Sequence, residues 1–160
     1  MSKFHITSLL QPATGKTCLQ SPAVLMFERL VDDMQSTLQE EVWFDDSDWP
    51  NGFDWHGEVD AIWEGLAEDA FLLAKFPTGN AGGRLLCRGA GAIHRAIRAG
   101  SPAEIDAVLD CLATYMQKPA SDHVYFLLKE AQVCLEQMAD NARADEPSGP
   151  DIELGLSSAA

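Results

Sequence analysis

Seven residues of one short segment, Asp45, Asp46, Asp48, Trp49, Asp54, Trp55 and Glu58, combine carboxylates with indoles and suggest three kinds of chemistry. The first is calcium binding, for which loop acids follow the pattern D-x-[DN]-x-[DN]-G-x5-E. With Gly52 in the glycine position, Asn51 and Glu58 fall where ligands belong, but Ser47 and Trp49 occupy the first two ligand positions. Starting at Asp46 instead puts Pro50 on a ligand position. The EF-hand pattern is rejected; a looser cation site is the weaker residual reading, and neither metal nor cofactor is expected. The second chemistry is acid–base work by paired carboxylates, as in glycoside hydrolysis. No spacing here fixes two acids at a working separation, and a chain of 160 residues leaves little room for a substrate cleft. The third is recognition. Tryptophan is enriched at interface hot spots, and acids around it supply steering and specificity.

The surroundings favour recognition. From Glu40 to Asp69 the chain carries eleven carboxylates, all four of its tryptophans and no lysine or arginine. Trp43 and Trp63 lie beside apolar stripes and read as core. Trp49 and Trp55, in a polar loop, are the expected partner contacts, with folding back over the bundle as the competing reading.

A second constellation has the opposite charge. Arg84, Arg88, Arg95 and Arg98 fall within an arc of about 80° on a helix, opposite Leu86, Ala90, Ile93 and Ile97. Arginine forks suit carboxylate or phosphate. Three uses compete: pairing within the chain near Glu64 and Glu68, which is favoured; an acidic patch on a second copy, giving a homodimer; or phosphate and nucleic acid, which the overall charge disfavours. Gly79 to Gly83, just ahead of Arg84, resembles a phosphate-cradling loop before a helix N-terminus, but lacks the lysine and hydroxyl of a P-loop. Gly15-Lys16-Thr17 ends like a Walker motif, yet Leu10 stands where the upstream glycine is required. His5, His56, His94 and His123 form no metal-binding pair, and no serine sits in a G-x-S-x-G elbow.

Helices are the elements that must position these groups. Ser21-Pro22 starts the first, with Val24, Phe27, Val31, Met34, Leu38 and Val42 as its apolar stripe. Pro50-Asn51-Gly52 marks a loop, and a second helix is expected from about Glu58 to Phe76, its apolar last turn deeply buried. A third is expected from about Arg84 to Ala99, weakened by Gly89 and Gly91. Ser101-Pro102-Ala103-Glu104 is a capping box that opens a fourth, and Ser121 opens a fifth running to about Ala142. The expected fold is all-α: a compact bundle of about five helices over residues 21–143. An arm at 1–20 precedes it, and a disordered acidic tail at 144–160 follows. A helical-repeat solenoid is the lesser reading, because no period recurs.

The bulk numbers narrow the function classes. Twenty-five acids against eleven bases give a net charge of −14, which repels nucleic acid and anionic membrane and favours basic partners. Cys18, Cys87, Cys111 and Cys134 form no CxxC pair and read as reduced core or near-core residues. With no signal-like start and no long apolar run, the chain is expected in the cytoplasm, off the membrane. The leading expectation is an acidic, non-catalytic interaction protein that binds a basic protein through its acidic–aromatic loop. Inhibitor, immunity protein, nucleic-acid mimic and chaperone-like roles all fit that description. The competing class is an enzyme or small-ligand binder with a pocket lined by the arginine stripe.

Overall fold

Polar N-caps set where the helices begin. The computed structural model describes residues 20–50, 52–147 and 149. Five helices are present among them: α1 (Pro22–Asp45), α2 (Trp55–Ala74), α3 (Ala81–Ile97), α4 (Pro102–Met116) and α5 (Asp122–Asp145). Asp54 opens α2 by accepting the Gly57 amide at 3.0 Å, and Asn80 opens α3 by accepting the Gly83 amide at 2.6 Å. Ser121 does the same for α5, accepting the Val124 amide. At α4 the expected capping box forms in a shifted version. Ser101 accepts the Glu104 amide, and the Glu104 carboxylate reaches back to the amide of Gly100. Ser21 makes no side-chain cap, and Pro22 begins α1 alone.

These caps correct two expected boundaries. Both α2 and α3 start three residues earlier than their apolar patterns suggest, because each cap lies upstream of the first periodic residue. Gly82 and Gly83 are consequently the first turn of α3. Since Asn80 already takes the Gly83 amide, the phosphate-cradle reading of Gly79 to Gly83 fails. At the other end α5 runs through Asp145, so Ala144 and Asp145, expected in the tail, are helical. The expected arm before residue 20, including Cys18 and Gly15-Lys16-Thr17, lies outside the described residues, as do Ser148 and residues 150–160 of the expected tail.

The helices run up-down-up-down-up, and α3 is central. It packs against all four others, whereas α4, α5, α1 and α2 touch in that order to form an arc around it. Among the described residues α2 and α4 do not pack on each other, so the arc is open on that side. The buried positions of α3, from Gly83 to Ala96, sweep about 220° of its circumference at 100° per residue. The remaining arc faces the opening. Gly89 explains how a helix with two interior glycines holds the middle of the bundle. A Cβ there would lie 2.8 Å from a Leu128 methyl and 3.1 Å from the Phe27 ring, so its absence lets α1 and α5 close on the α3 backbone.

The core follows the expected stripes. Phe27, Met34 and Leu38 of α1, Leu73 of α2, Leu86 and Ile93 of α3, Leu112 of α4, and Leu128 and Leu135 of α5 are fully buried. Burying such side chains contributes about 1.5–3 kcal/mol each, which outweighs the helix-propensity cost of the glycines. Cys87 and Cys134 are buried and Cys111 half-buried, all three free thiols. Burial pushes the Cys134 thiol up to about 11, with Glu130 adding to the shift.

One packing expectation is overturned. The last turn of α2 is not buried all round: Leu73 is inside, but Phe71 and Leu72 are exposed, Leu72 by 62%. A helix on the rim of the arc has packing neighbours on one side only. The outer half of an apolar turn therefore meets solvent, with Lys75 Nζ lying 3.9 Å over the Phe71 ring.

Candidate functional site

The α1–α2 hairpin turns at one end of the bundle, where its aromatic residues gather into a cluster of their own. Phe44 is the hub. It stacks on Trp55 with centroids 5.9 Å apart and planes 8° from parallel, and it meets Trp49 at 5.0 Å and Trp43 at 5.1 Å. Phe53 closes the far side on Trp49 at 4.9 Å. The Trp49 indole donates to the Phe44 carbonyl at 3.0 Å, which fixes the loop back onto the end of α1. Offset and tilted aromatic contacts at these distances are each favourable beyond simple area burial.

Three of the four indoles lie differently from their expected placement. Trp49 and Trp55 are half-buried and packed on their neighbours, so folding back prevails for these two. Trp43, which reads as core from its stripe, is 59% exposed. Val42, beside it on α1, is exposed as well. Trp63 is half-buried and donates its indole N–H to Glu41. Phe53, unremarkable in sequence, is the other exposed phenyl or indole ring of this cluster.

The carboxylates remain outward. Asp45, Asp46, Asp48, Asp54 and Glu58 are all exposed, and among the described residues none forms an ion pair. Asp54 has one oxygen committed to its cap, while the others keep theirs free. Beside them lies a cleft of about 700 Å³ between the α1–α2 pair and the neighbouring ends of α3, α4 and α5. Its walls bring together Glu41 and Asp45 of α1, Asp60 and Glu64 of α2, and Asp145 of α5, with Trp55, His56 and Trp63. The sequence reading missed Glu41, Asp60 and Asp145 as one group. Asp145 lies a hundred positions from Asp45, in the segment the sequence marks as tail. The short spacing of Glu41, Asp45 and Trp55 was the one local signal. Glu41 registers the crowding: burial pushes its carboxyl above the ordinary range, Asp60 and Asp145 push the same way, and only the Trp63 hydrogen bond opposes them.

The arginines of α3 divide. Arg98 pairs with Glu64 at 2.8 Å, as the internal-pairing reading expects. Arg84, Arg88 and Arg95 are exposed, and among the described residues none has a carboxylate partner; Arg84 donates to the Gly79 carbonyl. They line an open groove of about 600 Å³ along the gap between α2 and α4, with Phe76, Gly91 and Tyr115. His94 is not in it. Its ring faces α2, and Nδ1 donates to the Ala67 carbonyl at 2.9 Å. The groove can hold an anion, but its lining offers neither a carboxylate nor an imidazole for proton transfer.

No family model matches this chain, and neither a curated protein nor a solved structure matches it. Among the described residues no helix is long and apolar enough to cross a membrane, and no three His, Cys, Asp or Glu side chains gather as metal ligands.

Proposed function

We propose that this protein is an acidic, non-catalytic interaction module that captures a basic protein partner at the end of the bundle where α1 meets α2. The observation that carries the reading is the set of exposed carboxylates at Asp45, Asp46, Asp48 and Glu58, free of basic partners, around a ring cluster that offers Trp43 and Phe53 to solvent. Free carboxylates attract and orient a cationic surface over a distance set by screening. The exposed rings give that surface somewhere apolar to seat, which favours slow release. The neighbouring cleft suits a lysine or arginine side chain inserted between Trp55 and Trp63 with Glu41, Asp60 and Asp145 around its head. Inhibition of a basic enzyme, mimicry of nucleic-acid charge and chaperoning of a basic client all use such a surface.

The test is affinity capture from the native host, followed by titration of the purified partner in rising salt. The wild-type chain is expected to bind with an affinity that falls steeply as salt increases. A variant with Asp45, Asp46 and Asp48 changed to Asn and Trp43 to Ala is expected to lose binding while keeping its helical fold, with at most a small fall in melting temperature from the lost contacts to Phe44 and Trp49. Undiminished binding by that variant removes this end of the molecule as the site.

A further inference from the structure

The bundle is open on one side, and the residues facing that opening have a charge the rest of the molecule does not explain. Every arginine among the described residues outside the groove has a carboxylate partner: Arg29 with Asp33, Arg98 with Glu64, and Arg143 with Asp106 and Asp140. Among the described residues the three in the groove have none. Helix α3 itself contains no acidic residue, so Arg84 and Arg88 repel each other one turn apart with nothing interleaved. Leaving these charges uncompensated makes sense if the compensation comes from outside.

Geometry narrows what brings it. At 1.5 Å per residue, Arg84 to Arg95 spans about 16 Å along the helix axis. A single phosphate or carboxylate cannot bridge that row, whereas an extended chain covers it in about five residues at 3.3 Å each. The groove is open to solvent along its length and does not enclose a small molecule. Between the arginines its floor is apolar and aromatic, with Ala74, Phe76, Cys87 and Tyr115, so the occupant must carry apolar side chains as well as negative charge. The net charge of −14 opposes a uniformly charged polyanion such as nucleic acid, and weighs less against a segment with a few acids.

We infer that the gap between α2 and α4 is a docking groove for an acidic, amphipathic polypeptide segment of a partner protein, held by Arg84, Arg88 and Arg95. This site is separate from the acidic end, since the groove and the end cleft share no lining residue. The two proposals therefore stand or fall independently. Together they describe a molecule able to connect a basic partner to an acidic one.

The experiment titrates the full chain into a fluorescent Glu/Leu peptide of about twelve residues, followed by anisotropy. A Glu→Gln version of the peptide and a single-stranded oligonucleotide run in parallel. Saturable binding of the acidic peptide is expected, weakened about tenfold or more by Arg88→Glu with Arg95→Glu and unaffected by Arg29→Glu. Gly91→Met supplies the steric arm. A Cβ at Gly91 meets only an Ala74 methyl at 3.7 Å, so the longer side chain fills the groove without disturbing the core. Loss of binding in Gly91→Met, with a melting temperature no lower than that of the wild type, separates docking from diffuse attraction. Four results would overturn the inference: equal binding of the Gln peptide, tighter binding of the oligonucleotide, retained binding in both groove variants, or Arg88-dependent self-association on sedimentation. The last would make a second copy the occupant.

Discussion

The acidic end and the arginine groove both present uncompensated charge, but the molecule builds them in different ways. At the acidic end the charges sit on a turn and on helix termini that project beyond the packed layers. A separate aromatic cluster centred on Phe44 holds them in place. In the groove the charges sit on the most buried helix of the fold, and they reach solvent only because the surrounding arc fails to close between α2 and α4. The first region has its own local scaffold, separate from the core. The second is the outer face of the core helix, so its shape is set by everything packed behind it. Charge alone is therefore an incomplete guide to a functional surface; what supports the charge decides how far it can be altered.

The largest effect expected from this contrast is on binding. Removing Asp45, Asp46 and Asp48 with Trp43 should weaken capture of a basic partner by about a hundredfold, since close charge pairs at interfaces each couple by 1.5 kcal/mol or more. Circular dichroism melting should shift only slightly, because none of the four is buried in the core and Trp43 gives up only its edge contacts to Phe44 and Trp49. Trp55→Ala should behave differently. It removes the ring stacked on Phe44 and is expected to cost about 2 kcal/mol in urea denaturation, with the cost confined to the hairpin end. A loss of capture in that variant would reflect a disordered site, which is why Trp43 is the cleaner probe.

Two glycines of α3 sharpen the comparison between the groove and the core behind it. Gly89→Ala drives a methyl to within 2.8 Å of Leu128 and should destabilise by about 1–2 kcal/mol despite its better helix propensity. Gly91→Ala, on the groove face, meets only ordinary contact and should stabilise by about 0.5–1 kcal/mol. Opposite signs from neighbouring glycines on one helix would establish which face is packed. Equal signs would contradict the packing of α3 described above.

The smallest effect concerns pH. Glu41 has its carboxyl raised above the ordinary value of 4.5, so the folded state holds its proton more tightly than the unfolded chain. In the window just above that value the native state binds more protons, and stability falls as pH rises through it. Glu41→Gln keeps an acceptor for the Trp63 indole and removes the charge. It should flatten this part of the stability profile and leave the variant at least as stable as wild type near neutrality. A steeper profile in the variant would mean that Glu41 gains more from Trp63 than it loses to burial, Asp60 and Asp145.

What was legible in the chain follows the range of the forces involved. Apolar periodicity and polar caps act within a few residues, so all five helices, most of the core stripes and the shared face of Arg84, Arg88, Arg95 and Arg98 could be read directly. Even the misplaced starts of α2 and α3 were local errors: Asp54 and Asn80 are ordinary caps that stand one turn ahead of the first apolar residue. Beyond that range the sequence carries no address. That Arg98 finds Glu64, while among the described residues Arg88 finds no carboxylate, depends on which residues of α2 fall level with each arginine as the two helices run side by side, and on no described helix lying across the gap. That Trp43 is exposed and Trp49 half-buried depends on how the loop folds back onto Phe44, and that Asp145 joins Glu41 depends on α5 rising alongside α1. A side chain's phase around its own helix is written in the spacing of residues. Its neighbours across the bundle are set only when the helices choose their order of packing.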